Sequence, residues 1–218
     1  MTLDVRRFDC ADPTERADGI AFATAALRRG DLVVLPTDTV YGVAADAFDA
    51  AAVARLLEAK GRGRDMPVPV LVASPRTLEG IVTDLSAPGR ALVEAFWPGP
   101  LTLVCRHHAA LAWDLGDTRG TVAVRMPLHP VALEVLRATG PTAVSSANRS
   151  GSPPATDVDE AIDQFGPAVT CYLDGGPSAD SVASSIVDLT GPTPRLLRAG
   201  ALGLEALRAV VPELGEVE

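Results

Sequence analysis

Leu32-Val33-Val34-Leu35-Pro36 leads through Thr37-Asp38-Thr39-Val40 into Tyr41-Gly42-Val43-Ala44-Ala45. The first five residues have the unbroken apolar character of a buried strand. Residues 41–45 make a second extended stretch. The turn between them carries two hydroxyls and a carboxylate and runs into the Tyr41 phenol. Strand-end turns of open sheets are where ligands collect. The same side chains can equally serve the local backbone, as Asp and Thr do in ordinary turns, so both uses stay open at this point.

Working upstream, residues 14–29 begin with Thr14 and keep Ile20, Ala23, Thr24 and Leu27 on one side. That pattern predicts a capped helix stopped by Gly30. Downstream, Val53, Leu56 and Leu57 predict a helix over 50–59, and Gly61 and Gly63 open a loop rich in charge and proline. Residues 68–72 read as extended, with Pro69 predicting an edge position. A helix over 88–96 runs into Trp97-Pro98-Gly99-Pro100, a stop and turn. Further strands are expected at 101–106, 121–126, 169–173 and 184–189, with helices at about 130–138, 157–164 and 203–211. The alternation is too uneven for a run of βα units. The expected class is therefore α/β (α+β): a mixed, twisted open sheet covered by helices. With no repeat and no long linker, residues 1–218 are expected to form one domain, its core over about 20–200 and a short helix near 203–211 at its end.

Composition narrows the function. At 218 residues, 47% apolar and 22% charged, the chain is neither a disordered tail, a collagen-like rod nor a cysteine-stapled miniprotein. A net charge of −9 gives no basic footprint for wrapping nucleic acid, although a local basic cleft is compatible with it. Cys10, Cys105 and Cys171 have no C-x-x-C spacing, which predicts buried, reduced thiols. The first seven residues lack an apolar stretch after their charges, and no apolar run approaches a membrane span. A cytoplasmic protein is expected.

Five segments carry the chemistry. Of 19 cations only Lys60 is a lysine, and Lys60-Gly61-Arg62-Gly63-Arg64 packs three cations between glycines that let backbone approach a ligand. A lone lysine in an arginine-biased chain is the plainer account of the same fact. Ser145-Ser146-Ala147-Asn148-Arg149-Ser150-Gly151 follows Ala143-Val144 as a small, donor-rich loop able to hold phosphate oxygens, although it fits neither the Walker pattern nor G-x-G-x-x-G. Arg125 ends the apolar strand 121–126, and a buried arginine needs an anion, either an internal carboxylate such as Asp188 or a substrate carboxylate. Ser184 and Ser185 place hydroxyls inside another strand, and Arg198 repeats the arginine pattern. His107, His108 and His129 have no metal-ligand spacing, and there is no G-x-S-x-G elbow, so neither a protein-built metal site nor covalent acyl chemistry is expected.

Taken in order, residues 36–42, 60–62, 96–102, 121–127, 145–151, 184–188 and 197–200 resemble the YrdC-domain family, the threonylcarbamoyl-AMP synthases, over about residues 20–200. The resemblance implies a YrdC/RibB-like fold with a concave groove and a nucleotidyltransferase reaction. L-Threonine, bicarbonate and ATP would give threonylcarbamoyl-AMP and pyrophosphate, for threonylcarbamoyladenosine modification of tRNA. It implies Lys60 and Arg62 as catalytic cations, with Lys60, Arg62, Thr121, Ser146, Asn148 and Arg198 binding ATP. Thr39, Arg125 and Ser184 would bind threonine, and Mg²⁺ would arrive with ATP. It further implies a partner that passes the product to tRNA, with tRNA itself bound weakly or indirectly, and the short form of the family. Where many relatives have a proline after the lysine-x-arginine, this chain has Gly63, followed by Asp65 and Met66, so residues 61–66 are expected to form a loose lid that orders over ATP. Some relatives carry a histidine on the next strand, where this chain has Val70 and Leu71. Two other readings are a double-stranded RNA or tRNA-binding module and the carbamoyl-transfer domain of hydrogenase maturation. The acidic total and 4% aromatics weigh against the first, and the missing companion modules against the second.

Overall fold

The computed structural model describes residues 5–178 and 182–216; the first four residues, read above for a leader, lie outside the described residues. In chain order the strands are β1 (Arg6–Asp9), β2 (Val33–Leu35), β3 (Gly42–Asp46), β4 (Val70–Leu71), β5 (Leu101–Arg106), β6 (Thr121–Arg125), β7 (Thr142–Ser146), β8 (Cys171–Asp174), β9 (Ser185–Asp188), β10 (Arg195–Arg198) and β11 (Gly215–Glu216). They form one sheet in the order β1-β8-β2-β3-β7-β4-β6-β5-β9-β10-β11. Pairing is parallel at β1/β8, β8/β2, β4/β6, β5/β9 and β10/β11 and antiparallel elsewhere. The helices are α1 (Pro13–Arg28), α2 (Ala50–Lys60), α3 (Pro75–Ile81), α4 (Ala87–Phe96), α5 (Pro130–Thr139), α6 (Val158–Phe165) and α7 (Leu204–Val210). This is the mixed, helix-covered sheet that the sequence predicts.

Alternating side chains divide the core between the two faces. Val33 and Leu35 pack with α1 (Ala23, Ala26, Leu27) and α5 (Val131, Val135, Leu136). Val34 and Val43 pack with α2, α4 and α6 through Val53, Leu56, Leu92 and Phe165. A strand covered on both faces has to be apolar throughout, which is why Val33–Leu35 shows no polar alternation.

Several local expectations are corrected. The cap of α1 is Asp12 and not Thr14: its carboxylate accepts from Thr14 N–H and Glu15 N–H at 2.8 and 2.9 Å, and Pro13 opens the helix. β4 lies inside the sheet and not at its edge, between β7 and β6. Pro69 precedes the two paired residues, so its missing N–H removes no rung, and its carbonyl accepts from Val144 N–H at 2.9 Å. Ser145 and Ser146, read as loop, are the last rungs of β7, paired with Val43 and Gly42. A side chain at Gly42 would meet Val144 at 2.6 Å, so glycine permits this pairing. Strands β1, β7, β10 and β11 and helix α3 were not anticipated. Arg6-Arg7-Phe8-Asp9 and Arg195-Leu196-Leu197-Arg198 lie toward the sheet's margins, where charge is tolerated and the apolar signal fades.

Candidate active site

Strand ends converge on a cavity of about 290 Å³. The turn after β2 contributes Thr37 and Thr39, the end of β6 Arg125, the end of β7 Ser145 and Ser146, the start of β5 Thr102, the approach to β9 Ser184, and the end of β10 Arg198. Arg62 enters from the loop after α2. The described residues of this wall include three arginines and no carboxylate.

Arg125 is 6% exposed, and its guanidinium is held on three sides. Nε donates to Gly99 O at 3.0 Å, Nη1 to Thr39 Oγ1 at 2.9 Å and Nη2 to Asp38 Oδ1 at 2.5 Å. Asp38 Oδ1 also accepts from Leu128 N–H at 2.9 Å. The internal partner is therefore Asp38, not Asp188. Asp188 instead accepts from Thr190 and from Arg195. Burial lowers the pKa of Arg125 and Asp38 counters it, while the charge of Arg198 adds to the lowering. A guanidinium has five N–H donors, so two remain for a ligand. Thr39 in turn shares a 3.1 Å hydroxyl contact with Thr37, which donates to Val40 O at 2.7 Å.

Arg198 reaches the wall over Ser184. Nε and Nη2 donate to Ser184 O at 3.0 and 2.7 Å, and Nη2 lies 3.2 Å from Ser184 Oγ. The Ser184 hydroxyl is 2.8 Å from that of Thr102, and both side chains are buried. Next to them Ser185 is fully buried and acts as a staple: its Oγ donates to Leu202 O at 2.6 Å and accepts from Gly200 N–H and Leu202 N–H at 3.0 Å each. A side chain at Gly200 would fall 2.2 Å from Ala183 O, so only glycine lets the chain after β10 lie against Ser184.

At the opposite side of the cavity Arg62 Nη1 donates to Ser145 Oγ at 3.4 Å. Lys60 does not line the cavity. It is fully buried beneath the loop that follows β7, where Nζ donates to Ser146 O, to Asn148 O at 2.7 Å and to Asn148 Oδ1 at 3.4 Å. Desolvation, with Arg62 adding to it, lowers its pKa to about 7, while three oxygens matched to three N–H bonds hold the ammonium. Ser146 Oγ donates to Asn148 Oδ1 at 2.6 Å, and Asn148 Nδ2 donates to Arg149 O and Ser152 O. The loop is thus built around one lysine and one amide.

The structure therefore brings Thr39, Arg62, Arg125, Ser146, Ser184 and Arg198 together around one space. Lys60 and Asn148 lie under its floor. Thr121 stands apart, at the far end of β6 from Arg125, donating to Thr118 O at 2.8 Å. Asp38, Thr102 and Ser185 were not named as site residues, although Asp38 and Ser185 stand in polar segments that the sequence singles out and Thr102 closes the 96–102 segment of the resemblance. Of the three cations of residues 60–64, Arg64 stands apart from the other two. Arg64 turns outward to Asp114, at 2.9 and 2.7 Å, and to Asp117. Amide exchange over residues 62–66 should slow on adding ATP and Mg²⁺, because Arg62 then gains an anion while Arg64 anchors the loop; equal exchange with and without nucleotide would show a fixed wall in place of a lid.

Among the described residues no three His, Cys, Asp or Glu side chains gather to hold a metal, and no helix is long and apolar enough to cross a membrane. The three cysteines are buried and unpaired. A wall of arginines and hydroxyls without carboxylates suits small anionic ligands. The Sua5/YciO/YrdC family model, described as telomere recombination, matches residues 25–200, and the chain belongs to this family. It is 61% identical over 204 residues to the putative threonylcarbamoyl-AMP synthase of Mycobacterium leprae, covering 94% of this chain and 93% of that protein. It is 40% identical over 196 residues to the threonylcarbamoyl-AMP synthase of Pyrococcus abyssi, covering 89% of this chain and 58% of that protein. The crystal structure of P. abyssi Sua5 complexed with L-threonine superposes with a TM-score of 0.90 at 36% identity, covering 98% of this chain and 62% of that one. The chain thus spans under two thirds of the archaeal protein's length.

Proposed function

We propose that this chain is a threonylcarbamoyl-AMP synthase, joining L-threonine, bicarbonate and ATP and releasing pyrophosphate, for threonylcarbamoyladenosine modification of tRNA. The observation that carries the reading is the cavity wall itself: three arginines, a row of hydroxyls and no carboxylate, in a fold whose relatives bear this activity in their names. The reactants are anions, so the protein's task is to hold negative charge, exclude water and align the pair. Arg125, fixed by Asp38, Thr39 and Gly99, offers its two unspent N–H bonds to the threonine carboxylate. Thr39 and Ser184 lie beside it for the rest of the amino acid. Arg62 and Ser146 receive the phosphates, and Arg198, held over Ser184, is the third cation of the wall. Lys60 and Asn148 act from beneath by shaping the loop that follows β7, and Thr121 has no part in this mechanism. The carbamate oxygen attacks the α-phosphorus as the bond to pyrophosphate breaks. Mg²⁺ would enter with the nucleotide substrate, since the described wall offers hydroxyls and no carboxylate to hold it.

We further take the chain to work as one domain in the cytoplasm, where buried unpaired thiols are stable, and to hand its reactive product to a partner that acts on tRNA. Pyrophosphate release should depend on threonine and bicarbonate together. Valine should support it roughly a hundredfold less well, because buried hydroxyls left unpaired reject an analogue more sharply than shape does. Equal release with threonine and valine would refute this placement of the amino acid.

A further inference from the structure

Apart from Arg125 and the end of β7, the cavity has a third polar corner, formed by Thr102, Ser184 and Arg198. Ser184 Oγ lies 3.2 Å from Arg198 Nη2 and 2.8 Å from Thr102 Oγ1. When Ser184 accepts from Arg198 and donates to Thr102, the Thr102 hydroxyl keeps its own hydrogen for the cavity. Arg198 spends Nε and Nη2 on Ser184, leaving the Nη1 edge. One buried hydroxyl and one guanidinium edge thus remain unspent on the two partners of Ser184. Ile186, paired with Thr102 across β5 and β9, lines the same corner with apolar surface.

Its place in the cavity is also fixed. Gly99 O holds Arg125, and Thr102 follows three residues later on the same segment, so the corner adjoins the Arg125 end. Ser145 and Ser146 end β7, three strands away from β5, about 14 Å across the sheet. The corner is therefore next to the amino acid and away from the end of β7.

We propose that the Thr102 hydroxyl, oriented by Ser184, and the free edge of Arg198 form the subsite for bicarbonate, and then for the carbamate, with Thr102 the deciding donor. This rests on the reading given under Proposed function. The threonine amine attacks the bicarbonate carbon and an N–C bond forms. One C–OH bond breaks, and the hydroxide leaves as water with one amine proton. The carbamate keeps the single negative charge that bicarbonate brought. The same donors hold it throughout, and the apolar side at Ile186 keeps water from it.

The test compares wild type with Thr102→Val and Thr102→Ser, each checked for an unchanged thermal melt. Threonine affinity is measured by calorimetry with no other substrate. The bicarbonate dependence of pyrophosphate release is measured at saturating threonine and ATP. Thr102→Val should raise the KM for bicarbonate about tenfold or more, with threonine affinity within about twofold of wild type. Thr102→Ser, which keeps the hydroxyl, should restore most of the difference. An unchanged bicarbonate KM in Thr102→Val, or a parallel loss of threonine affinity, would overturn the subsite while leaving the proposed reaction standing. A wild type whose release ignores bicarbonate would overturn the reaction and the subsite together.

Discussion

Lys60→Met should lower unfolding stability by about 3 kcal/mol and raise the KM for ATP by at least roughly tenfold. The lysine is fully buried, and its removal takes the donor from Ser146 O and Asn148 O and leaves Asn148 Oδ1 only its bond from Ser146. An oxygen stranded away from water costs the full price of its desolvation. The loop that presents Ser146 to the cavity is built on those contacts, so binding and stability should fall together. Lys60→Arg should rescue neither, because a planar fork does not fit a pocket shaped for three N–H bonds on one nitrogen. Denaturant unfolding and ATP titration read the two effects; wild-type values in both variants would mean the lysine is incidental. A pH signature accompanies this. The pKa of Lys60 is lowered from 10.5 to about 7, so between those values the unfolded chain binds more protons than the folded one. Lys60 therefore makes stability rise with pH above about 7, and Lys60→Met should lose that rise.

Arg125→Met should abolish measurable threonine binding, a loss of roughly a hundredfold or more, and should destabilise the fold by about 3–5 kcal/mol. The second effect comes from Asp38, which would stay nearly buried with its cation gone. Asp38→Asn combined with Arg125→Met should recover much of the stability and none of the threonine binding. That split separates the two roles of the arginine: counter-ion to Asp38 and grip for a carboxylate. Threonine binding that survives in the double variant would place the amino acid elsewhere in the cavity.

These two residues also show how far the sequence could be read. Motifs of small polar residues at strand ends were legible because local rules decide them: an apolar strand must stop, and a turn of hydroxyls after it has few purposes. The strand of Arg125 and its need for an anion were equally legible. Its partner was not, since Asp38 and Asp188 both suit the charge and only the sheet order brings Asp38 across. Lys60 was singled out by composition, but composition says nothing of direction. It points under the loop because α2 ends at Lys60 and Gly61 then turns into the left-handed region, at φ 64°. Pro69 suggested an edge strand because the rule concerns rungs, and this proline stands just before them. The hydroxyl pair of Thr102 and Ser184, 82 residues apart, follows from β5 and β9 lying side by side.

The most direct test of the proposed reaction is mass spectrometry of the product from purified protein, ATP, L-threonine and ¹³C-bicarbonate. A threonylcarbamoyl-AMP species, formed with pyrophosphate, should appear one mass unit heavier with the labelled carbon and be absent when threonine or bicarbonate is left out. Pyrophosphate or AMP formed without any such species, or a product that carries no label, would contradict it.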